Sequence, residues 1–437
     1  MTRYLFGFLY VCALVGTLPR SAMRYLFALL LCSGLTAVAC SSSNNAYECG
    51  QPNPKLTADG REVVYFRALC VDEECGWSGC NTRLVDSYLL VYDVETQART
   101  RLPFGTSYFD VSGNGEVIAY TNGSLLEIYD RESGNATTVD VAEFGNFWFP
   151  PPSPSISGDG KVVAFTLLLK GDDPWEPAIF LYDRATEQIQ RAATEPRPDW
   201  PSQSNDGRFL AYQTRPDLSS DPWEPSNEIH VLEGATGQNA LVSVNSDGEP
   251  ANGRSFEPFI SGDGRFVVFR SSATDLLAPS SSPPKIEGAE VYLHDRDTAT
   301  TSLLSTAADS GEPSGSANWL IDGPGRSHAM STDGQFIVYD SNVASIVPLE
   351  DPASVPALNV YRYDAETGRT TRVSINTLGE PANGSNPYPT YPSISDDGRF
   401  IAFVTDSTNL DPDDADSEDD VYLHDVSSGE TRWVSRR

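Results

Sequence analysis

Seven times along the chain a polar turn ending in Asp-Gly or Asn-Gly leads into the same short apolar string. The copies read TADGREVVYF, SGNGEVIAY, SGDGKVVAF, SNDGRFLAY, SGDGRFVVF, STDGQFIVY and SDDGRFIAF, with turn glycines Gly60, Gly115, Gly160, Gly207, Gly264, Gly334 and Gly398. Three residues beyond each glycine stands an aliphatic: Val63, Ile118, Val163, Leu210, Val267, Ile337 and Ile401. Five beyond it stands an aromatic: Tyr65, Tyr120, Phe165, Tyr212, Phe269, Tyr339 and Phe403. A separation of two puts both side chains on one face of a strand, and an Asp-Gly pair is the turn that joins such a strand to the one before it.

Each unit has a second half. LLVYDVETQ, LEIYDRESG, IFLYDRATE, IHVLEGATG, VYLHDRDTA, VYRYDAETG and VYLHDVSSG each give a strand closing on an acidic residue and a polar turn. A short strand follows, as in TRLP, TRVS or TRWVS. Every unit therefore supplies a meander of four strands, here a, b, c and d. One such sheet cannot bury both of its faces, but seven stacked radially can. The expected fold is all-β, a seven-bladed propeller of four-stranded antiparallel blades over residues 54–437, with six or eight blades fitting the count less well.

The strings PSISDDGRFIAFVTDSTNL…DDVYLHDVSSGETRWVS and PFISGDGRFVVFRS…EVYLHDRDTATTSLLS resemble the repeat of TolB-type β-propellers, a WD-repeat-like family. The resemblance spans the seven units and implies the fold. TolB itself has six blades behind an N-terminal α/β domain, whereas this chain has seven units behind a short tether. The resemblance therefore does not imply the role of TolB.

The start of the chain has the grammar of a targeting segment. MRYLFALLLCSGLTAVAC, from Met23, carries one basic residue, an apolar core and small residues before Cys40. Ala37–Cys40 resembles a bacterial lipobox, with alanine in place of the usual leucine. By that resemblance residues 1–39 are a leader whose true start is Met23, and Cys40 is lipidated and heads a tether over 40–53. Ser41 then points to the outer membrane. An ordinary cleaved signal peptide is the alternative. Cys49, Cys70, Cys75 and Cys80 remain in an exported chain, and two disulfides are expected, with three possible pairings.

Charge narrows the partners. Residues 1–39 hold three arginines and no acid, so the rest carries 27 basic and 61 acidic residues, a net of −34. Such a field repels nucleic acid and anionic lipid headgroups.

The pentapeptide DPWEP occurs at Asp173–Pro177 and again at Asp221–Pro225, in the b–c loops of the third and fourth units. In a meander the b–c and d–a connections emerge at one end, opposite the short a–b and c–d turns. Trp175 and Trp223 fall in b–c loops, and Trp148, Trp200 and Trp319 in d–a connections. These five tryptophans are the candidate anchors for a protein partner in the cell envelope, and the alternative is that each plugs a crevice between blades. Little else offers chemistry. There is no GxSxG elbow, and His230, His294 and His424 fall at repeat positions of strand c. The acidic run NLDPDDADSEDDVYLHD offers Asp411, Asp413, Asp416 and Glu418 as alternate oxygen ligands for Ca²⁺, with a solvated loop as the alternative and no other cofactor expected. The function expected from these residues is non-catalytic binding of a protein by a membrane-anchored propeller. A glycan-binding protein or an enzyme acting on an extracellular polymer is the alternative.

Overall fold

The seven Asp-Gly turns share one hydrogen-bond pattern that accounts for their sequence. Three residues before each glycine is Ser (Thr57 in the first unit), and its hydroxyl donates to the Asp or Asn one residue before the glycine, as Ser204 does to Asp206 at 2.8 Å. The same hydroxyl accepts the N–H two residues beyond the glycine, as Ser204 does from Phe209 at 3.0 Å. The glycines all adopt φ between 67° and 78°, the left-handed region open to a residue without Cβ. These turns are structural.

In this computed structural model the described residues are 47–48, 52–76, 79–122, 125–146, 153–170, 176–193, 195–215, 227–277, 289–306, 328–342, 346–347, 358–384 and 390–436. No α-helix occurs among them. They form seven antiparallel sheets, each built on four strands in the order a-b-c-d and two of them with one further two-residue strand, arranged as a seven-bladed propeller. Blade four is representative: Asp199–Gln203, Phe209–Thr214, Glu228–Glu233 and Gln238–Leu241. The predicted aliphatic and aromatic columns of strand b are buried throughout. Clusters such as Val268, Val291, Leu293, Met330, Ile337 and Tyr339 fill the space between neighbouring blades.

Contacts divide the chain into a propeller, Gln51–Phe66 with Leu89–Arg437, and a smaller unit that includes Arg67–Tyr88. In the smaller unit Tyr47 and Glu48 pair with Cys70 and Leu69, and Cys70 is buried and disulfide-bonded. Cys49 and the side chains of Cys75 and Cys80 lie outside the described residues, as do Cys40 and the leader. Where a loop was expected between strands b and c of the first unit, the strands run on to fifteen residues each, Glu62–Gly76 and Gly79–Asp93.

Each turn glycine packs on the residue two beyond the glycine of the preceding blade. A Cβ on Gly264 would lie 2.0 Å from Phe209, one on Gly334 2.3 Å from Phe266, and one on Gly398 2.1 Å from Phe336. The series closes on itself, because a Cβ on Gly60 of blade one would lie 2.6 Å from Phe400 of blade seven.

Candidate functional site

The innermost strands enclose an axial channel, a cavity of about 150 Å³ lined by residues from all seven blades. Reading the repeat column by column separates scaffold from site. Columns that make the turn and the blade core hold one residue type, but columns that face the axis do not.

Two residues before the turn glycines, the column reads Ala58, Gly113, Gly158, Asn205, Gly262, Thr332 and Asp396. Backbone hydrogen bonds link these turns around the axis, among them Ala58 to Gly113, Gly113 to Gly158, Asn205 to Gly262, Gly262 to Thr332 and Asp396 to Ala58, at 2.7–2.9 Å. The Asn205 amide reaches past Gly262 to the Thr332 hydroxyl at 3.3 Å. A Cβ on Gly158 would lie 2.0 Å from Asn205 Oδ1, so the glycines here make room for that side chain. The turn end of the channel is thereby narrowed.

Five residues before the glycines the column reads Lys55, Asp110, Ser155, Ser202, Phe259, Ala329 and Ser393. Its two charges sit on adjacent blades, with Lys55 Nζ 3.7 Å from Asp110 Oδ1 and both side chains partly exposed to the channel. The other carboxylate oxygen of Asp110 accepts the Ile156 N–H at 3.0 Å, which fixes the group on the channel wall. An ammonium beside a carboxylate at a partly solvated wall provides a proton donor and a proton acceptor.

Seven residues before the glycines stand Asn53, Tyr108, Ser153, Trp200, Glu257 and Tyr391. Asn53, Trp200, Glu257 and Tyr391 all have positive φ, 41° to 56°, and each precedes a proline, which disfavours the right-handed helical conformation. In blades four and five strand a bends at this position, and in blades one and seven the residue stands just before strand a. Glu257 and Tyr391 are each 3% exposed. The Glu257 N–H donates to Gln213 Oε1 of blade four at 3.1 Å. Next to Tyr391, the Thr390 N–H donates to Asp340 Oδ2 of blade six at 3.0 Å. Asp340 in turn accepts Arg270 Nη2 of blade five, at 3.1 Å to both Oδ1 and the main-chain oxygen. Arg270 and Asp340 are 0% and 1% exposed, a buried ion pair spanning two blades. Burial raises the Asp340 carboxyl above its ordinary range, and Arg270 opposes that rise. Burial also pushes the Tyr391 hydroxyl well up, with Asp340 and Glu257 adding to the effect.

The residues expected from the sequence are placed differently. Trp200 is in strand a, not in a connection, and its N–H donates to Asp199 Oδ1 at 2.8 Å. Trp148, Trp175, Trp223 and Trp319 lie outside the described residues. Of the four expected cation ligands, Asp416 is grouped with Asp414 and Asp420, their oxygens within 4.8 Å of one another. Asp413 instead pairs with Arg436, Asp411 accepts the Asp413 N–H, and the Glu418 N–H donates to Asp416. Asp414 Oδ2 accepts the Tyr422 hydroxyl, and Asp420 accepts Trp433 Nε1 and Ser435. None of these acids lines the channel. His294 and His424 contact Thr301 and Thr431 across strands c and d, at 3.0 and 2.9 Å, as packing residues do. The channel residues Lys55 and Asp110 were missed. The signal that would have found them is loss of identity in an axial column.

No family model matches the chain, and no curated protein matches it in sequence. Solved structures do. An oligogalacturonate lyase in complex with manganese is 14% identical with a TM-score of 0.53, over 87% of this chain and 95% of that one. A puromycin-hydrolyzing peptidase of Mycobacterium tuberculosis is 15% identical with a TM-score of 0.56, over 88% of this chain and 53% of that one. A putative TolB from Agrobacterium tumefaciens is 16% identical with a TM-score of 0.42, over 65% and 87%. The TolB resemblance holds at the level of a TolB-like β-propeller, and at that score no argument rests on it. At these identities likeness establishes fold alone. It nevertheless corrects the expectation of a non-catalytic binding protein. The same fold makes up nearly the whole of a lyase, so the absence of familiar motifs on a propeller is no ground for excluding chemistry.

Proposed function

We propose that the chain is an exported enzyme acting on a hydroxyl-rich polymer, an oligosaccharide end, taken up in the axial channel. The observation that carries this reading is the contrast between columns. The turn column holds Ser or Thr in all seven blades, while the channel column two residues further out holds Lys, Asp, Ser, Phe and Ala. In a repeat, positions that serve the scaffold stay alike, and a wall that varies serves what it encloses. In this reading Lys55 and Asp110 exchange protons with the substrate, and Asn53, Gln203 and Tyr391 of the channel lining orient it through aromatic and polar contacts. The net of −34 beyond the leader disfavours long polyanions as substrates.

Incubation with a panel of oligosaccharides, followed by mass analysis of products, tests the reading. Turnover by the native chain should fall at least about 100-fold in Asp110→Asn. Equal turnover by native protein and variant, or none on any member of the panel, refutes it. Export by way of a lipidated Cys40 is part of the proposal. A Cys40→Ser chain should move from the membrane to the soluble fraction, and membrane-bound variant would count against the anchor.

A further inference from the structure

The column five residues before the turn glycines has a scaffold duty of its own. A side-chain oxygen there accepts a main-chain N–H from the adjoining blade: Ser155 from Gln203 and Ser202 from Ile260, both at 3.2 Å, Ser393 from Leu56 at 2.9 Å and Asp110 from Ile156 at 3.0 Å. Phe259 of blade five occupies the same position and has no oxygen to offer. Serine there would tie blade five to blade six, as serine ties three other blades to the next. The aromatic forgoes that hydrogen bond, so the scaffold does not explain it.

Its place around the axis does. Phe259 lines the channel and is partly exposed. It packs against the apolar clusters that hold Ala329 and Met330 of blade six, which steady the phenyl ring. Ala329, at the same position one blade on, is the smallest side chain in the column and adds little bulk beside it. With seven blades around an axis, each blade faces the junction between two blades on the far side. Blade five faces the junction of blades one and two, where Lys55 Nζ lies 3.7 Å from Asp110 Oδ1. The channel wall thus carries an aromatic on one side and an ion pair opposite.

We propose that Phe259 is the stacking platform of the channel, and that it selects an uncharged pyranose ring laid with a C–H face on the phenyl ring and its hydroxyl-bearing edge turned to Lys55 and Asp110. The proposal rests on the reading of the channel as a saccharide site, and adds the residue and the ring form that decide what is held. A pyranose carries C–H bonds on its flat faces and hydroxyls around its edge. Those hydrogens, made slightly positive by the neighbouring oxygens, meet the negative face of the aromatic ring. An open-chain alditol offers the same kind of hydroxyls but no fixed apolar face, and more of its freedom is lost on binding. A charged uronate ring is disfavoured by the net of −34 beyond the leader.

Binding, measured without turnover, tests the platform. The probes are methyl pyranosides of neutral hexoses, each paired with the alditol of the same sugar, and affinities come from ligand-observed NMR titration of the full chain. The native chain should hold at least one pyranoside about tenfold more tightly than its alditol. Phe259→Ser, which installs the residue of Ser155, Ser202 and Ser393, should bring that pair to within about twofold, whereas a merely structural role would weaken both alike. Phe259→Trp should keep the preference. Phe259→Leu, apolar but without a ring face, should lose it and serves if the serine variant does not fold. A native-like preference in Phe259→Ser or Phe259→Leu, or equal binding of every pair by the native chain, overturns the platform and leaves the saccharide channel standing. Binding of no pyranoside or alditol by the native chain overturns both.

Discussion

Gly264→Ala measures what holds neighbouring blades together. Gly264 has φ +78°, and a Cβ there would sit 2.0 Å from Cδ2 of Phe209 on the preceding blade. Gly237, in the c–d turn of blade four, has φ +69° and nothing within 4 Å of the same position. Alanine at either site incurs left-handed backbone strain, about 1 kcal/mol. Only at Gly264 must the Phe209 ring also retreat by well over an ångström. That ring is not free to do so, because the guanidinium groups of Arg208 and Arg296 lie 4.7 and 4.6 Å from its centroid. Overpacking of this kind adds about 1–3 kcal/mol. The expected losses are therefore about 2–4 kcal/mol for Gly264→Ala and about 1 kcal/mol for Gly237→Ala. Urea unfolding followed by tryptophan fluorescence gives both from shifts in midpoint, provided the slopes match. Phe209→Leu should recover part of the Gly264→Ala loss in the double variant, a coupling of about 1–2 kcal/mol. Equal losses at the two glycines, or strict additivity with Phe209→Leu, would refute the argument that the turns carry the blade–blade contact.

Two further outcomes follow from buried polar groups. His424 is held neutral by burial, its pKa lowered from 6.5 to about 4, so between those values the unfolded chain binds a proton that the native chain does not. Its stability contribution is complete above about pH 6.5 and is lost as pH falls toward 4, by about 3 kcal/mol in all. His424→Tyr, which installs the residue of Tyr92, Tyr129, Tyr182 and Tyr363 in the same column, should remove about one proton from the pH slope of unfolding; an unchanged slope contradicts this. Arg270→Met should cost about 3–5 kcal/mol by leaving Asp340 buried without its partner, while Arg270→Met with Asp340→Leu should regain most of it. A double variant no more stable than the single one, by thermal melting, would show that the pair is worth more than its desolvation.

Much of the fold was legible because it is written seven times. Ser and Asp at fixed distances before each glycine specify the turn, and the aliphatic and aromatic columns specify the buried face of strand b. What escaped was whatever departs from the repeat. Trp200 read as part of a connection because Asp199-Trp200-Pro201 has the composition of a loop, yet the bend before Pro201 keeps it within strand a. The first unit was expected to have a loop between strands b and c, although the strands continue to Gly76 and from Gly79. Lys55 and Asp110 looked like two ordinary charges, because nothing local distinguishes a residue that faces the axis from one that faces solvent. Only the register of the whole ring does.

The same logic bears on Arg270 and Asp340. Six residues beyond the turn glycines, the other blades hold Phe66, Thr121, Thr166, Gln213 and Val404, all uncharged. Two charges in that column must be desolvated, and a pair of apolar residues would fill the space at no such cost. Arg270 Nε and Nη1 have no partner among the described residues, which adds to the expense. Stability alone does not account for the pair. Its position does offer an account, because Asp340 holds the backbone beside Tyr391 just before strand a, where no turn or blade core would have set it. The costly exception to the repeat thus lies beside the column that varies most. A scaffold that bears such a cost at that place is fixing the geometry of its channel.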